Sequence, residues 1–364
     1  MKPYFAHFGC TIGALMVLSL SGCQSLAGSV NSNTTVNSNA AVNSNTKGTP
    51  SPISANPTLQ QMDTIDRMGR IAYIESIRDE TGTHSMLYSI HPDGSDKHKY
   101  AEVDGGNIYS LAWSNDGRYL TYSVQRARSY PVIYLYDSMT EHTIPLITDR
   151  GMNLSAQLSA DNSTLIYTSS DEEGTRIYEY DMATGTRSPA IKTEWPNSLQ
   201  PKYLPNGDIV FVSDKGVSNR PRIYRYDRDA RTVTNIDTDG YSVSPSISRD
   251  GQLMSYLSGR HAAIMNLTTG TTIANFGDNG LDETAKLSPS ANYVVYPMST
   301  PNVAPSDSLQ GAPNDVTRRA VTSQIVIRPL YGEGEAFTLV SAQGTLRDPV
   351  WGVLPSAQAH GEEK

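Results

Sequence analysis

The feature that most constrains the fold of this chain is a motif of two short strands and a turn that occurs six times. In each copy a turn resembling Ser-x-Asp-Gly precedes a strand of alternating apolar residues, and a second strand follows. The spacings between successive turn centres are 48, 45, 45, 44 and 40 residues. The six centres are Gly69, Gly117, Asn162, Gly207, Gly251 and Ala291. A period of this size is typical of one four-stranded propeller blade.

The strand pattern predicts an all-β fold. Alternation with a period of two, bounded by Gly, Asp and Asn turns at short regular spacing, is the signature of such proteins. A lone blade cannot bury both of its faces, so six copies must stack and close into a ring. We therefore predict a six-bladed β-propeller with four-stranded blades over residues 62–355.

The two ends of this region predict how the ring closes. Most copies open with an innermost strand, but the first copy has only a weak candidate at residues 62–65. The chain has a spare strand near its end, at residues 348–353. If this strand pairs with the first copy, it completes the ring and removes the open sheet edge.

The repeats resemble those of the TolB-like propeller family, which carries WD40-like (PD40) repeats. The segments that carry the resemblance are LAWSNDGRYLTY at 111–122, VIYLYD at 132–137, IVFVSDKG at 209–216 and RIYRYD at 222–227. The resemblance covers roughly residues 62–355. TolB has a further α/β domain before its propeller, and a polar segment stands in that place here.

The first 22 residues have the pattern of a signal peptide, with Lys2 near the start and an apolar stretch too short to span a bilayer. The sequence LSGC at 20–23 resembles the lipobox of bacterial lipoproteins, in which the cysteine is lipidated and becomes the first mature residue. The resemblance implies a lipid anchor (palmitate) on Cys23, and Gln24 after it implies the outer membrane. An ordinary signal peptide with a chance cysteine is the alternative.

Residues 23–61 are predicted to be the lipidated cysteine followed by a disordered tether. The segment is rich in Ser, Asn, Thr and Ala, and VNSN occurs at 30–33, 36–39 and 42–45. Three short copies without caps cannot bury a continuous core, so a β-helix is disfavoured. Residues 356–364 are predicted to be a disordered tail.

Composition and motifs exclude several classes of function. The net charge of -8 argues against a nucleic-acid-binding protein, and two cysteines exclude a disulfide framework or a cysteine-rich metal site. We find no His-x-x-x-His zinc pattern and no Gly-x-Ser-x-Gly nucleophile motif. We therefore expect a non-enzymatic protein with no cofactor and no metal.

Aspartates recur in the turns and after the third strand of several copies, and they could bind calcium or act in acid–base chemistry. They are Asp116, Asp137, Asp181, Asp227 and Asp250. Catalysis needs one site rather than several copies, whereas Asp commonly stabilises a tight turn by accepting backbone hydrogen bonds. The repetition favours this structural role.

The sixth copy departs from the others, because about 27 residues (297–323) separate its two central strands. Long loops in compact domains are usually functional or disordered. In a propeller this loop lies on the same face as the loops that join successive blades. We predict a partner-binding surface there, formed by Arg150, Trp195, Tyr241, Asp282 and Arg347 of the joining loops and Arg318 and Arg319 of the insertion. The alternative is solvated loops, with Trp195 covering an edge of the core.

These observations favour a lipid-anchored periplasmic scaffold that binds an envelope protein or peptide. The resemblance to TolB, whose propeller binds a peptidoglycan-associated lipoprotein and colicin segments, implies a role in organising the cell envelope. An enzyme or glycan-binding protein with a site in the central funnel is the alternative. It would need inward His, Arg and carboxylate groups, and the innermost strands contain mostly Ser, Leu and Ala. A propeller that acts only as a spacer is a third possibility.

Overall fold

The computed structural model describes residue 53 and residues 56–355, with gaps at 172–173, 196, 216–219, 237–239, 278–282, 302–320 and 333. The predicted signal peptide, Cys23, most of the predicted tether and the predicted tail lie outside the described residues. No helix among the described residues is long and apolar enough to cross a membrane.

The described strands form six four-stranded antiparallel sheets, which are the blades of the predicted propeller. Blade 1 consists of β1 (Arg70–Asp79), β2 (Gly82–Ile90), β3 (His98–Asp104) and the last described strand, β24 (Thr345–Gly352). Blade 2 consists of β4 (Gly106–Trp113), β5 (Tyr119–Arg126), β6 (Val132–Asp137) and β7 (His142–Ile147). Blade 3 consists of β8 (Leu154–Leu158), β9 (Thr164–Asp171), β10 (Gly174–Asp181) and β11 (Arg187–Pro189).

The second half of the ring has the same order of strands within each sheet. Blade 4 consists of β12 (Ser198–Tyr203), β13 (Ile209–Ser213), β14 (Arg222–Asp227) and β15 (Thr232–Asn235). Blade 5 consists of β16 (Ser242–Ile247), β17 (Leu253–Ser258), β18 (His261–Asn266) and β19 (Thr271–Phe276). Blade 6 consists of β20 (Lys286–Leu287), β21 (Tyr293–Pro301), β22 (Val321–Pro329) and β23 (Phe337–Ala342).

The predicted closure of the ring is confirmed. Strand β24 pairs antiparallel with β1, with Trp351 opposite Ile71 and Val350 opposite Ala72. Strand β24, the last of the described strands, therefore supplies the innermost strand of the first blade, and all four strands of blade 1 are hydrogen-bonded in one sheet.

The weak strand candidate at 62–65 is wrong. Among the described residues before β1 there are two short helices instead, α1 (Pro57–Gln60) and α2 (Thr64–Arg67). Asp66 of α2 is fully buried, and its carboxylate accepts hydrogen bonds from Ser288 Oγ at 3.1 Å and from the backbone N–H of Ser290 at 2.9 Å. Trp351 Nε1 donates to the carbonyl oxygen of Asp66 at 3.2 Å. Helix α2 thus fastens the turn of blade 6 to the closing strand of blade 1.

The core lies between neighbouring blades, where the second strands are covered on both faces. All five residues of β13 are buried, and Tyr73, Tyr167 and Phe211 in second strands have no exposed surface. Strands buried on both faces are expected to be almost continuously apolar. The outermost strands are largely exposed, as in β7, where the first four residues are solvent-accessible.

Five of the six innermost strands share a backbone irregularity, which lies two residues before a residue that lines the funnel. Each of five innermost strands has a register shift, and one residue beside it has a positive φ between 49° and 58°. These residues are Ser110, Ser155, Gln200, Ser244 and Asp348. A β-bulge of this kind re-aims the neighbouring side chains. Because non-glycine residues disfavour this conformation, its recurrence shows that the propeller geometry imposes it.

Candidate functional site

One concave feature of the described residues is a funnel at the end of the central channel. Its wall is a ring of equivalent side chains, one from the innermost strand of each blade: Ala112, Gln157, Lys202, Ser246, Lys286 and Val350. Its rim includes Asn115, Arg249 and Pro289, which lie in the turns between first and second strands. We call this side of the propeller the turn face, and the opposite side, with the loops that join successive blades, the loop face.

Two lysines of the ring, Lys202 on β12 and Lys286 beginning β20, are half-buried in the funnel. Burial and the charge of Lys286 lower the pKa of Lys202 to about 8, while Asp348 opposes this shift. Within the described part of the chain, neither ammonium group forms a hydrogen bond or an ion pair.

The opposite end of the channel holds an acidic pair, Glu283 and Asp348. Glu283 Oε2 accepts a hydrogen bond from the backbone N–H of Asp348 at 2.5 Å, and Asp348 Oδ2 accepts one from the backbone N–H of Leu111 at 2.7 Å. Burial, and next the charge of Asp348, raise the pKa of Glu283 to about 7. Each carboxylate therefore already has a backbone donor from the neighbouring blade.

Glutamines make the same kind of link elsewhere in the channel. Gln157 Oε1 accepts from the backbone N–H of Tyr203 at 3.0 Å, which joins blade 3 to blade 4. Gln200 Oε1 accepts from the backbone N–H of Ser244 at 2.7 Å, which joins blade 4 to blade 5. These carboxylates and glutamines join neighbouring blades by hydrogen bonds. Among the described residues, the two lysine ammonium groups make no such bond.

The structure confirms that the blade-joining loops and the loops between second and third strands share a face. Arg150, before β8, is exposed, and its guanidinium lies 5.7 Å from the ring centre of Tyr130, which lies between β5 and β6. Trp195, before β12, packs against Phe211 and Tyr224, and Lys215 Nζ lies 4.1 Å above its ring. Trp195 therefore covers the core of blade 4 and is only partly exposed.

The other predicted partner-binding residues are dispersed. Tyr241, before β16, is 37% exposed. Arg347 lies within β24 and not in a loop; its Nη2 donates to the carbonyl oxygen of Ile108 at 2.9 Å, and its guanidinium lies 5.1 Å from the ring centre of Tyr109. Arg347 is thus part of the channel wall. Asp282, Arg318 and Arg319 lie outside the described residues.

The insertion in blade 6 is shorter than predicted. Residues 297–301 extend β21 and residues 321–323 begin β22, and Met298 pairs with Gln324 in the sheet. Residues 302–320, between these strands, lie outside the described residues.

The repeated aspartates stabilise their own turns, as predicted. Asp116 Oδ1 accepts from Ser114 Oγ at 2.6 Å and from the backbone N–H of Arg118 at 3.0 Å. Asp250 makes the equivalent bonds to Ser248 and Gln252. At the ends of third strands, the carboxylates of Asp137, Asp181 and Asp227 accept hydrogen bonds from backbone N–H groups two or three residues later in the chain. No group of three or more His, Cys, Asp or Glu residues among the described positions is arranged to hold a metal ion.

The charged residues of the channel were missed by the sequence analysis, which expected the innermost strands to contain mostly Ser, Leu and Ala. A signal for them exists in the repeat. The residue five positions before each turn centre is Ala112, Gln157, Lys202, Ser246 or Lys286 in blades 2 to 6, and all five line the funnel. Superposing the copies on their turns would have shown two lysines on one ring.

Residues 67–314 match the protein family PD40, described as the TolB beta propeller domain. The chain belongs to the TolB β-propeller family. Its fold is similar to that of TolB from Acinetobacter baumannii, with a TM-score of 0.64 and 23% sequence identity over 79% of this chain and 67% of that one.

Sequence relatives of this TolB-like chain are Tol-Pal system proteins. It is 28% identical over 244 residues to the Tol-Pal system protein TolB of Francisella tularensis subsp. tularensis (strain WY96-3418), covering 62% of this chain and 54% of the relative. It is 29% identical over 244 residues to the protein of the same name from Francisella tularensis subsp. holarctica (strain OSU18). The chain thus spans about half the length of the relatives it matches.

Proposed function

We propose that this TolB-like propeller is a scaffold of the cell envelope that binds a segment of another envelope protein on its loop face. In this proposal Cys23 carries a lipid that anchors the chain in the outer membrane, with the propeller in the periplasm. The protein binds its partner and catalyses no reaction. The relation to Tol-Pal system proteins supports the envelope role.

The observation that carries the proposal is two cation–aromatic pairs and an exposed tyrosine on the loop face of blades 2 to 5. Tyr130, which is 45% exposed, pairs with Arg150 at the junction of blades 2 and 3. Lys215 lies over Trp195 on blade 4, and Tyr241 is exposed before blade 5. Trp, Tyr and Arg are the residue types that dominate binding energy at protein interfaces. Their placement on one face favours a protein partner there.

The loop-face proposal is tested by crosslinking the tagged full-length protein in intact envelopes and identifying what is co-purified. We expect a partner that is retained by the wild-type chain and lost by the variant Tyr130→Ala/Tyr241→Ala. The variant Ile144→Ala is the matched control, because Ile144 is 50% exposed but lies on an outermost strand. Equal recovery of the partner with both variants, or no enriched protein with any of them, would overturn the proposal.

A deletion of residues 302–320 tests whether the insertion takes part. These bounds spare the paired residues of β21 and β22, so blade 6 keeps its sheet. Loss of the partner with an unchanged melting temperature would place the insertion in the interface, whereas full retention would exclude it.

Lipid attachment is tested separately by labelling cells with a radioactive fatty acid. We expect incorporation into the wild-type chain and into Cys10→Ser, which alters only the predicted signal peptide, and none into Cys23→Ser. Incorporation that survives Cys23→Ser would disprove the predicted anchor without affecting the loop-face proposal.

A further inference from the structure

We propose that the funnel on the turn face is a binding site for a small doubly charged oxyanion, a phosphate or phosphate monoester, held between Lys202 and Lys286. The site is distinct from the loop face and does not depend on the function proposed above. Three observations support it: two lysines converge on the funnel, neither forms an ion pair among the described residues, and the surrounding wall contains a further neutral donor.

The two lysines converge because they occupy equivalent ring positions in blades 4 and 6. Ser246 of blade 5 lies between them on the same ring, and Arg249, in the next turn of blade 5, stands at the rim. Three cationic side chains thus border one sector of the funnel. Among the described residues, none of the three makes a hydrogen bond or an ion pair.

The carboxylates that influence the two lysines already accept hydrogen bonds from other groups. Glu283 and Asp348 influence the lysines electrostatically, but both accept backbone N–H groups of the adjacent blade. Asp348 precedes the ring residue Val350 by two positions, and Glu283 precedes Lys286 by three, on the loop-face side. Among the described residues, neither carboxylate forms an ion pair with Lys202 or Lys286.

The fold does not require charge at these positions. The equivalent ring residues of blades 1 and 2 are Val350 and Ala112, so the same backbone accepts small apolar side chains. Two like charges in a half-buried funnel cost stability, which an anion between them would restore. Side chains that lower the stability of the fold in this way are expected at positions that serve a function.

The chemistry of the wall favours an oxyanion. A lysine ammonium is a compact charge with three donors, which suits phosphate oxygens, and the Ser246 hydroxyl adds a neutral donor. Trp113, Leu287 and Trp351 also line the funnel. Partial burial of the two lysines strengthens the attraction by lowering the local dielectric constant. Two charges on the ligand match the two ring lysines.

The test is calorimetric titration of the full chain with inorganic phosphate at pH 7.5, with sodium chloride used to keep the ionic strength constant. We expect saturable binding of one phosphate per chain. Lys202→Met and Lys286→Met should each weaken binding at least tenfold, because each removes one charge and keeps the aliphatic stem. Lys192→Met is the control, since Lys192 is exposed in the loop before β12. The affinity of this variant for phosphate should stay within twofold of that of wild type.

Thermal melts without phosphate separate lost binding from lost folding. We expect Lys202→Met to melt at or above the wild-type temperature, because it removes a half-buried like charge. Phosphate should raise the melting temperature of wild type and Lys192→Met but not of the two ring variants.

Several outcomes would overturn the assignment. They are phosphate binding no tighter than chloride binding, saturable binding that both ring variants retain, and a destabilised Lys202→Met. Glycerol 3-phosphate, a monoester, should compete with phosphate, whereas vesicles of phosphatidylglycerol, whose phosphodiester carries one charge, should not. Competition by the vesicles alone would assign the site to a membrane surface and disprove the small dianion.

Discussion

The carboxylate of Glu283 accepts a hydrogen bond from the backbone N–H of Asp348, with Oε2 and N 2.5 Å apart, and this bond joins blade 6 to the strand that closes blade 1. The two residues are 65 positions apart in the chain, and their side chains share the loop-face end of the channel. Burial and the neighbouring Asp348 raise the pKa of Glu283, so we expect the stability of this end of the propeller to depend on pH.

We expect Glu283→Gln to stabilise the protein above pH 7 and to have a smaller effect in acid. Burial and Asp348 raise the folded-state pKa of Glu283 from 4.5 to about 7. The folded state therefore binds more protons than the unfolded state between these values, and the contribution of Glu283 to stability falls as the pH rises through this window. Gln keeps an oxygen that can accept from Asp348 and carries no charge.

The measurement is urea denaturation of wild type and Glu283→Gln from pH 4.5 to pH 8. The difference in free energy of unfolding should grow with pH in favour of the variant. Glu80→Gln, in the exposed hairpin between β1 and β2, is the control and should show no such trend. A difference for Glu283→Gln that is independent of pH would contradict the prediction.

The stabilisation by Lys202→Met should decrease as the pH rises, which is the reverse of the trend expected for Glu283→Gln. Burial and Lys286 lower the folded-state pKa of Lys202 from 10.5 to about 8. The penalty for the charged lysine is fully present below pH 8 and disappears as the pH approaches 10.5. Chemical denaturation at pH 7, 8, 9 and 10 should show the gap between variant and wild type closing across this series. A gap that widens with pH would show that the charge of Lys202 is not the cause.

Asp66→Ala should reduce the free energy of unfolding by about 3 kcal/mol, because it leaves buried donors of Ser288 and Ser290 without an acceptor. Asp63→Ala, three residues earlier, removes one exposed hydrogen bond to Asn292 Nδ2 and should cost less than about 0.5 kcal/mol. Urea denaturation of both variants tests whether α2 fastens the ring. Similar losses for the two variants would show that it does not.

Gly117→Ala should cost about 2 kcal/mol more than Gly207→Ala. Both glycines have a positive φ, +74° for Gly117 and +88° for Gly207, so alanine is strained at either position. A Cβ at Gly117 would lie 2.1 Å from the carbonyl oxygen of Val353, which follows the closing strand, whereas at Gly207 its nearest neighbour is Arg228 Cδ at 4.0 Å. The difference between the two losses in free energy of unfolding measures the effect of the close contact between Val353 and Gly117 of blade 2. Equal losses would contradict it.

The six-fold repeat was sufficient to predict the propeller, because strand alternation and turn chemistry are local properties. The SNDG turn around Gly117 and the YLYD segment ending at Asp137 specify their own backbone through hydrogen bonds within a few residues. The closing strand was predictable for a related reason, since an unpaired innermost strand at one end needs a partner at the other. The helix at Thr64–Arg67 could not be predicted in this way, because it is held in place by Asp66, whose hydrogen-bond partners lie more than 200 residues away in the chain.

The sequence by itself determined the number of blades, the role of the repeated aspartates and the strand that closes the ring, each of which follows from a pattern within one repeat or from the need to satisfy a sheet edge. Only the tertiary structure decided which polar residues meet. It put Arg347 in the channel wall, seated Trp195 on the core of blade 4, paired Glu283 with Asp348, and brought Lys202 and Lys286 to one funnel. The physical reason is the closure of the ring, which brings residues from separate repeats to a common axis.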